Sequence, residues 1–120
     1  MARILYIEDD ANNRMLVRRI LMAYGFQVDE ADNARKGIEM AQSNPPDLIL
    51  MDMSMPGMDG LTATAHIRTL PDIHNIPIIA LTANVMEGDK EKTLNAGCDG
   101  YIGKPIDVDT FADEITQYLR

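Results

Sequence analysis

The chain has 120 residues and a net charge of −8, and 46% of its residues are hydrophobic. This length suits a single core, so we expect one domain over residues 1–120 with no output domain. The negative charge opposes direct binding to nucleic acid, and no apolar run approaches the length needed to cross a membrane. Because the first residues also lack a signal-peptide pattern, we expect a cytoplasmic protein.

The first half of the chain alternates short apolar segments with segments of helical periodicity. Residues 3–7 predict a strand followed by three acids, Glu8, Asp9 and Asp10. Residues 11–24 predict a helix that ends at Gly25, and its predicted buried face consists of Leu16, Ile20, Ala23 and Tyr24. Residues 27–31 predict a peripheral strand. The next helix, capped by Asp32 or Asn33 and ended by Pro45-Pro46, has a predicted buried face of Ala34, Gly37, Ile38 and Ala41.

The second half repeats this alternation around the most hydrophobic strand, Leu48–Asp52, which delivers a carboxylate to its end. A helix from about residue 61 to Pro71 has a predicted face of Ala63, Ile67 and Leu70. Residues 78–82 predict a buried strand that ends on Thr82. Residues 85–96 predict a mostly polar helix with a thin apolar set of Val85, Met86 and Leu94. Residues 100–103 predict a strand before Lys104. The last helix, capped near Asp107 or Asp109, has a predicted face of Val108, Phe111, Ala112, Ile115 and Leu119.

Five strand–helix units in strict alternation predict an α/β domain, a parallel sheet covered by helices on both faces. Sites in such sheets lie at the carboxyl ends of the strands. The polar residues at these ends are Glu8, Asp9, Asp10, Asp52, Thr82 and Lys104.

These residue types fit metal-assisted phosphoryl transfer. If Asp9 and Asp52 lie about 4 Å apart, they repel each other by roughly 4 kcal/mol at an effective dielectric near 20, and Glu8 adds to the repulsion. A divalent cation with oxygen ligands offsets it, which favours Mg²⁺. Asp52 would attack the phosphorus, Lys104 would neutralise oxygens, and Thr82 would donate a hydrogen bond. The alternatives are solvated loop carboxylates, an exposed lysine and a helix-capping threonine.

Four motifs occur in order: Glu8-Asp9-Asp10, Leu48 to Asp52 followed by Met55-Pro56-Gly57-Met58-Asp59-Gly60, Leu81-Thr82-Ala83, and Lys104-Pro105. Together they resemble the receiver domain of two-component response regulators, the CheY-like superfamily, over essentially the whole chain. The resemblance implies a flavodoxin-like (βα)5 doubly wound fold with strand order 2-1-3-4-5. It also implies a phosphoacceptor switch rather than an enzyme, with slow self-dephosphorylation at most.

The resemblance assigns roles to individual positions. Asp52 resembles the phosphoacceptor, and Asp9 and Asp52 resemble the direct Mg²⁺ ligands. The backbone carbonyl of Ser54 resembles the third ligand, and Glu8, where the family usually has Asp, resembles a ligand acting through water. Thr82 and Lys104 resemble the residues that contact the phosphoryl group. Thr82 and Tyr101 together resemble the family's switch pair. Ser54 and Asn84 stand at positions where the family tunes the lifetime of the phosphoryl group.

The resemblance also implies partners. The phosphoryl donor would be a histidine kinase or histidine phosphotransfer protein. The downstream effector would be another protein, such as a second kinase. It would bind to the surface formed by the helix at 85–96 and the last strand and helix. We expect a monomer or weak dimer. Met86-Glu87-Gly88-Asp89 is similar to stand-alone receivers of the DivK type, which implies cell-cycle signalling as one setting, and to receivers of hybrid kinases.

Two other functional classes fit less well. A phosphohydrolase with an aspartyl nucleophile would need an acid where Ser54 stands, and a flavin-binding module would need a Ser/Thr/Gly-rich loop in place of Glu8-Asp9-Asp10.

We expect surface or packing roles for the two histidines, and we expect Cys98 to be a small, unreactive residue. Met15, Met22, Met40 and Met51 are predicted in the core, whereas Met53, Met55 and Met58 fit a docking or a packing role equally.

Overall fold

The computed structural model describes residues 2–55, 57–83 and 87–119, without the side chains of residues 87–90. Predictions that involve Pro56, Asn84, Val85 and Met86 lie outside the described residues. Within the described part, no helix combines the length and apolar character needed to cross a membrane.

The described residues form a five-stranded parallel sheet in the order β2-β1-β3-β4-β5. The strands are β1 (Arg3–Ile7), β2 (Gln27–Ala31), β3 (Leu48–Asp52), β4 (Ile78–Thr82) and β5 (Gly100–Gly103). The helices are α1 (Ala11–Ala23), α2 (Ala34–Ser43), α3 (Gly60–Ile67), α4 (Glu87–Asn95) and α5 (Phe111–Tyr118). This is the flavodoxin-like arrangement, so the predicted fold class and strand order are confirmed.

The register of the central strands brings the acidic strand ends together. Ile7, the last residue of β1, pairs with Met51 of β3, so Glu8, which follows β1, lies level with Asp52, which ends β3. Asp52 in turn pairs with Leu81, one residue before Thr82. The chain order reverses at β1 and β3, which is where such sheets open a crevice for a site.

Both faces of the sheet are covered. Along β1, Leu5 and Ile7 belong to a core cluster that includes residues of α2 and α3. Ile4 and Tyr6 belong to a second cluster that includes residues of α1 and α5. All five residues of β3 and of β4 are buried, as expected for inner strands of a parallel sheet with helices on both sides.

The buried face of α1 differs from the prediction. The buried residues are Val17, Ile20 and Leu21, whereas Leu16 and Tyr24 are 45% and 54% exposed. Both sets satisfy helical spacing, because apolar residues occupy more of this helix than its contact with the sheet covers. Among the methionines predicted in the core, Met51 is buried and Met40 is partly buried, but Met15 and Met22 are exposed.

Helix ends follow the predicted chemistry in α2 but not in α5. Asn33 caps α2, and its side chain accepts a hydrogen bond from the Lys36 amide at 2.8 Å. The cap residue of α5 is Thr110, without a side-chain capping bond, and Asp107 instead closes the turn before the helix, where its Oδ1 accepts a 2.9 Å bond from the Asp109 amide. In α4, Leu94 is 41% exposed and Thr93 is buried instead.

Candidate functional site

Three carboxylates meet at the carboxyl edge of the central strands. Glu8, Asp9 and Asp52 each place one carboxylate oxygen within 4.8 Å of the others. Glu8 and Asp52 are 1% and 2% exposed, whereas Asp9 is exposed. The sequence therefore correctly predicted that these acids gather, and the cluster combines two buried carboxyl groups with one that faces solvent.

The third acid of the run serves a different purpose. Asp10 caps α1, and its Oδ1 accepts hydrogen bonds from the amides of Asn12 at 2.8 Å and Asn13 at 3.1 Å. A carboxylate at this position satisfies amides that have no partner within the helix. Asp10 is therefore a structural residue beside the cluster.

Lys104 neutralises part of the buried negative charge. Its Nζ lies 3.1 Å from Asp52 Oδ1 and 3.3 Å from Glu8 Oε1. The Lys104 amide donates to the Thr82 carbonyl at 2.8 Å, which fixes the residue at the end of β5. Burial by itself would lower the pKa of Lys104, but the hydrogen bond and charge of Asp52, aided by Glu8, raise the pKa above its ordinary value. Lys104 is thus a firmly charged partner of the two buried acids.

Glu8 is held by a second donor, the hydroxyl of Tyr6, at 2.9 Å from Oε1. Burial raises the pKa of Glu8 to about 7, and the hydrogen bond and charge of Asp52 act in the same direction against the opposing effects of Tyr6 and Lys104. Burial and the neighbouring charge of Glu8 raise the pKa of Tyr6 above its ordinary value. The phenol therefore stays protonated and acts as a donor.

The donor set fits a hard divalent cation. All three carboxylates offer oxygen, and the Lys104 ammonium pairs with two of them, Glu8 and Asp52. Three carboxylates gathered at short range favour a counter-ion, and carboxylate oxygens are the ligands that Mg²⁺ prefers. Ser54 contributes its amide, which donates to Asp52 Oδ1 at 3.2 Å, while its carbonyl as a ligand stays a prediction.

The predicted switch residues lie on the neighbouring strands. Thr82 is buried and ends β4, where it pairs with Gly103 of β5. Tyr101 pairs with Ala80 and is half-buried against the core cluster on the α2 and α3 side. Both residues make further interactions. Their roles toward a phosphoryl group stay predictions.

The three methionines that follow Asp52 pack against the protein interior. Met55 is 5% exposed, and Met53 and Met58 pack against the core, which favours the packing role over the docking role.

The chain returns close to Asp52 at the start of α3. A Cβ atom on Gly60 would lie 2.7 Å from the Asp52 carbonyl oxygen, so only glycine allows this close approach. Asp59 caps α3 by accepting a 2.8 Å bond from the Thr62 amide, which lowers the pKa of Asp59.

Sequence reasoning missed two supporting residues, Tyr6 and Arg14. The Arg14 guanidinium donates to the Glu8 carbonyl at 2.7 Å and lies 3.4 Å from Glu30 of β2. Strand alternation places Tyr6 on the same side as Glu8, and this signal could have identified it. Arg14 had no comparable signal, because its contact depends on how α1 docks.

The remaining candidates lie apart from the acids. Cys98 is buried and 3.6 Å from the Thr64 hydroxyl, and burial raises the pKa of its thiol, in agreement with an unreactive role. His66 and His74 are exposed. A cavity of about 530 Å³ is lined by other residues, among them Arg3, Lys36 and Met40. The acidic cluster is thus separate from this cavity.

Comparison with known proteins agrees with the fold. The family model of the response regulator receiver domain matches residues 4–116, and the chain belongs to this family. Among curated relatives, the polar-differentiation response regulators DivK of Brucella anthropi and Brucella ovis are 36% and 35% identical over 116 residues, which cover 97% of this chain and 94% of each relative.

Two solved structures show the same fold. The chemotaxis protein CheY4 of Vibrio cholerae is 27% identical with a TM-score of 0.94, and the match covers 99% of each chain. The receiver domain of a sensor histidine kinase from Pseudomonas aeruginosa, described with a magnesium ion coordinated in its active site cleft, is 32% identical. Its TM-score is 0.89, and the match covers 98% of this chain and 96% of that one.

Proposed function

We propose that this protein is a phosphorylation switch in which Asp52 accepts a phosphoryl group from a phosphohistidine of a histidine kinase or phosphotransfer protein. The observation that carries the proposal is the position of the Asp52 carboxylate, which ends the buried strand β3 within 4.8 Å of Glu8 and Asp9 and 3.1 Å from the Lys104 ammonium. A nucleophilic carboxylate among charged groups of both signs is the arrangement that phosphoryl transfer needs.

In the proposed step an oxygen of Asp52 attacks the phosphorus, the P–N bond of the phosphohistidine breaks, and its electron pair stays on the imidazole nitrogen. The product is an acyl phosphate on Asp52. Lys104 and Thr82 contact the phosphoryl oxygens, where a cation and a hydroxyl donor stabilise the developing charge. Reversal occurs by slow hydrolysis or by transfer back to a histidine, so the protein is a switch rather than a turnover enzyme.

Mg²⁺ is the proposed cofactor, held directly by Asp9, Asp52 and the Ser54 carbonyl and through water by Glu8. When bound, it neutralises charge on the phosphoryl oxygens. The all-oxygen donor set and the excess of carboxylates over ammonium support this assignment. The magnesium described for the Pseudomonas aeruginosa receiver supports it by analogy.

The proposed output couples Thr82 and Tyr101 to the surface of α4, β5 and α5. The acyl phosphate carries nearly two negative charges where the Asp52 carboxylate carried one, and this group draws the Thr82 hydroxyl toward it and lets Tyr101 pack further inward. Tyr101 also lines a hollow of about 320 Å³ with α5 residues such as Gln117 and Tyr118, so its movement would reshape this surface. The partner there would be a downstream effector protein, bound by a monomer or weak dimer.

The test is phosphoryl transfer from a labelled phosphohistidine donor with Mg²⁺ present. Asp52→Asn should take up no label. Asp59→Asn, in the same loop, should match wild type, because asparagine also caps a helix. Labelling of Asp52→Asn at the wild-type rate would refute the assignment, and turnover of a generic phosphate ester would favour a phosphohydrolase instead.

A further inference from the structure

Tyr6 is a fully buried polar residue among the apolar residues Ile4, Leu5 and Ile7 of β1. Its ring is 0% exposed in the core cluster on the α1 and α5 side, and its hydroxyl donates to Glu8 Oε1 at 2.9 Å. Phenylalanine would fill the same space without a polar group, and a buried hydroxyl is unfavourable unless it has a partner. The hydroxyl therefore serves its acceptor, the Glu8 carboxylate.

We propose that Tyr6 is a positioning residue whose hydroxyl holds the Glu8 carboxylate in the orientation used for Mg²⁺ binding. The inference rests on the proposed function, because it assumes that Glu8 belongs to the metal site. It adds a residue from the interior of β1 to the residues that determine metal affinity.

The two oxygens of Glu8 are held to different degrees. Oε1 accepts from both Tyr6 and Lys104, the latter at 3.3 Å. Oε2 has a longer approach, 3.5 Å from the Asp10 amide. Fixing Oε1 from two sides stops rotation of the carboxylate and leaves Oε2 with acceptor capacity for a metal-bound water.

The Tyr6 hydroxyl donates its one proton to Glu8 and so is not divided between two acids. Lys104 divides its ammonium between Glu8 and Asp52, and in the proposed function it also binds the phosphoryl group. Glutamate has one more rotatable bond than aspartate and so loses more freedom when it is held. A dedicated donor in the strand compensates for this longer side chain, and outer donors of this kind affect metal affinity strongly.

The test is the affinity of the protein for MgCl₂, measured by isothermal titration calorimetry without any phosphoryl donor. Tyr6→Phe keeps the ring and removes the hydroxyl, and we expect Kd to rise roughly 10-fold. Tyr118→Phe is the matched control. Tyr118 packs against the same core cluster, but its hydroxyl lies next to Gly100, at the opposite end of β5 from Lys104, so Kd should not change.

A double-mutant cycle separates positioning from packing. In an E8D background the shorter carboxylate withdraws from the Tyr6 hydroxyl, so adding Tyr6→Phe should leave Kd unchanged there. If Tyr6→Phe weakens Mg²⁺ binding equally in both backgrounds, the effect comes from the core and the proposal is overturned. An unchanged or lower Kd for Tyr6→Phe alone also overturns it.

Wild-type protein provides a second measurement if Tyr6→Phe does not fold. With ring-labelled tyrosine, MgCl₂ should shift the NMR signals of Tyr6 and leave those of Tyr118 in place, and an unmoved Tyr6 signal overturns the proposal. Wild type that binds no Mg²⁺ at millimolar concentration contradicts the proposed function itself. If wild type binds Mg²⁺ and Tyr6→Phe binds it with the same Kd, only the role of Tyr6 is contradicted.

Discussion

The Lys104 ammonium lies 3.1 Å from Asp52 Oδ1, although 52 positions separate these residues in the chain. The pair forms where β5 and β3 end at the same edge of the sheet, with β4 between them. Because Asp52 is nearly inaccessible to solvent and Lys104 also contacts Glu8, the ammonium offsets a repulsion inside the protein rather than at its surface. Its removal should therefore affect folding as well as phosphoryl transfer.

Lys104→Met should lower the free energy of unfolding of the metal-free protein by about 2 kcal/mol. This is less than the loss of a partner from a fully buried ion pair, because the Lys104 side chain is 23% exposed and Glu8 can take up a proton. Urea denaturation in EDTA measures it. Lys36→Met, at an exposed position of α2, is the control and should change stability by less than about 0.5 kcal/mol. Equal effects of the two substitutions would contradict the buried role of Lys104.

Adjacent acids should respond differently to Mg²⁺. At ten times its Kd, MgCl₂ should stabilise wild type by about 1.4 kcal/mol. Asp9→Asn should lose most of this stabilisation, whereas Asp10→Asn should keep it, because Asp10 caps α1 and asparagine caps equally well. Thermal unfolding with and without MgCl₂ measures the difference, and the two variants carry the same change in charge. A similar loss in both would mean that net charge, and not a site, binds the cation.

The raised pKa of Glu8 predicts how the stability of the metal-free protein depends on pH. The folded pKa of about 7 exceeds the ordinary value of 4.5, so between these values the folded protein holds a proton that the unfolded chain has released. Stability from Glu8 is therefore fully present below pH 4.5 and is lost as the pH rises through 7, by about 3 kcal/mol in total.

Glu8→Gln should remove this loss, so that its stability exceeds that of wild type at pH 8 and not at pH 5. Chemical denaturation in EDTA at both pH values checks it. Glu39→Gln, at an exposed position of α2, should show no such crossover. If the free energies of unfolding of wild type and Glu8→Gln change with pH in parallel, Glu8 is not the group that causes the loss of stability.

Arg68 joins the end of α3 to the start of β4 and β5. Its guanidinium donates to the carbonyls of Gly97 at 2.8 Å and Ile76 at 2.7 Å, and to the Asp99 carboxylate at 2.9 Å. It also donates to the carbonyl of His74 at 2.9 Å. With four hydrogen bonds at roughly 1 kcal/mol each, Arg68→Met should lower the free energy of unfolding by about 4 kcal/mol. Arg68→Lys should recover less than half of this, because lysine lacks the planar fork.

Urea denaturation of the two Arg68 variants measures these effects, with Arg35→Met at an exposed position of α2 as the control. Full recovery with lysine would show that charge alone, and not the geometry of the guanidinium, joins these elements.

Much of the site could be predicted because its residues stand at strand ends. The apolar run of β3 ends on Asp52 and that of β1 ends just before Glu8, and in a parallel sheet these ends meet at one edge. The roles of Asp10 and Tyr6 could not be assigned in the same way. Three acids in a row look alike in sequence, and which one caps α1 depends on where the helix begins.

Sequence alone determined the order of the elements, the parallel sheet and the edge at which the acids gather, because hydrophobic periodicity and turn residues act over a few neighbouring positions. Tertiary structure alone decided which face of α1 is buried, with Val17 and Leu21 inside and Leu16 outside. It also decided that the Tyr6 hydroxyl and the Lys104 ammonium share Glu8 Oε1. Such choices depend on the packing of distant segments and on distances of a few ångström, which local sequence patterns do not specify.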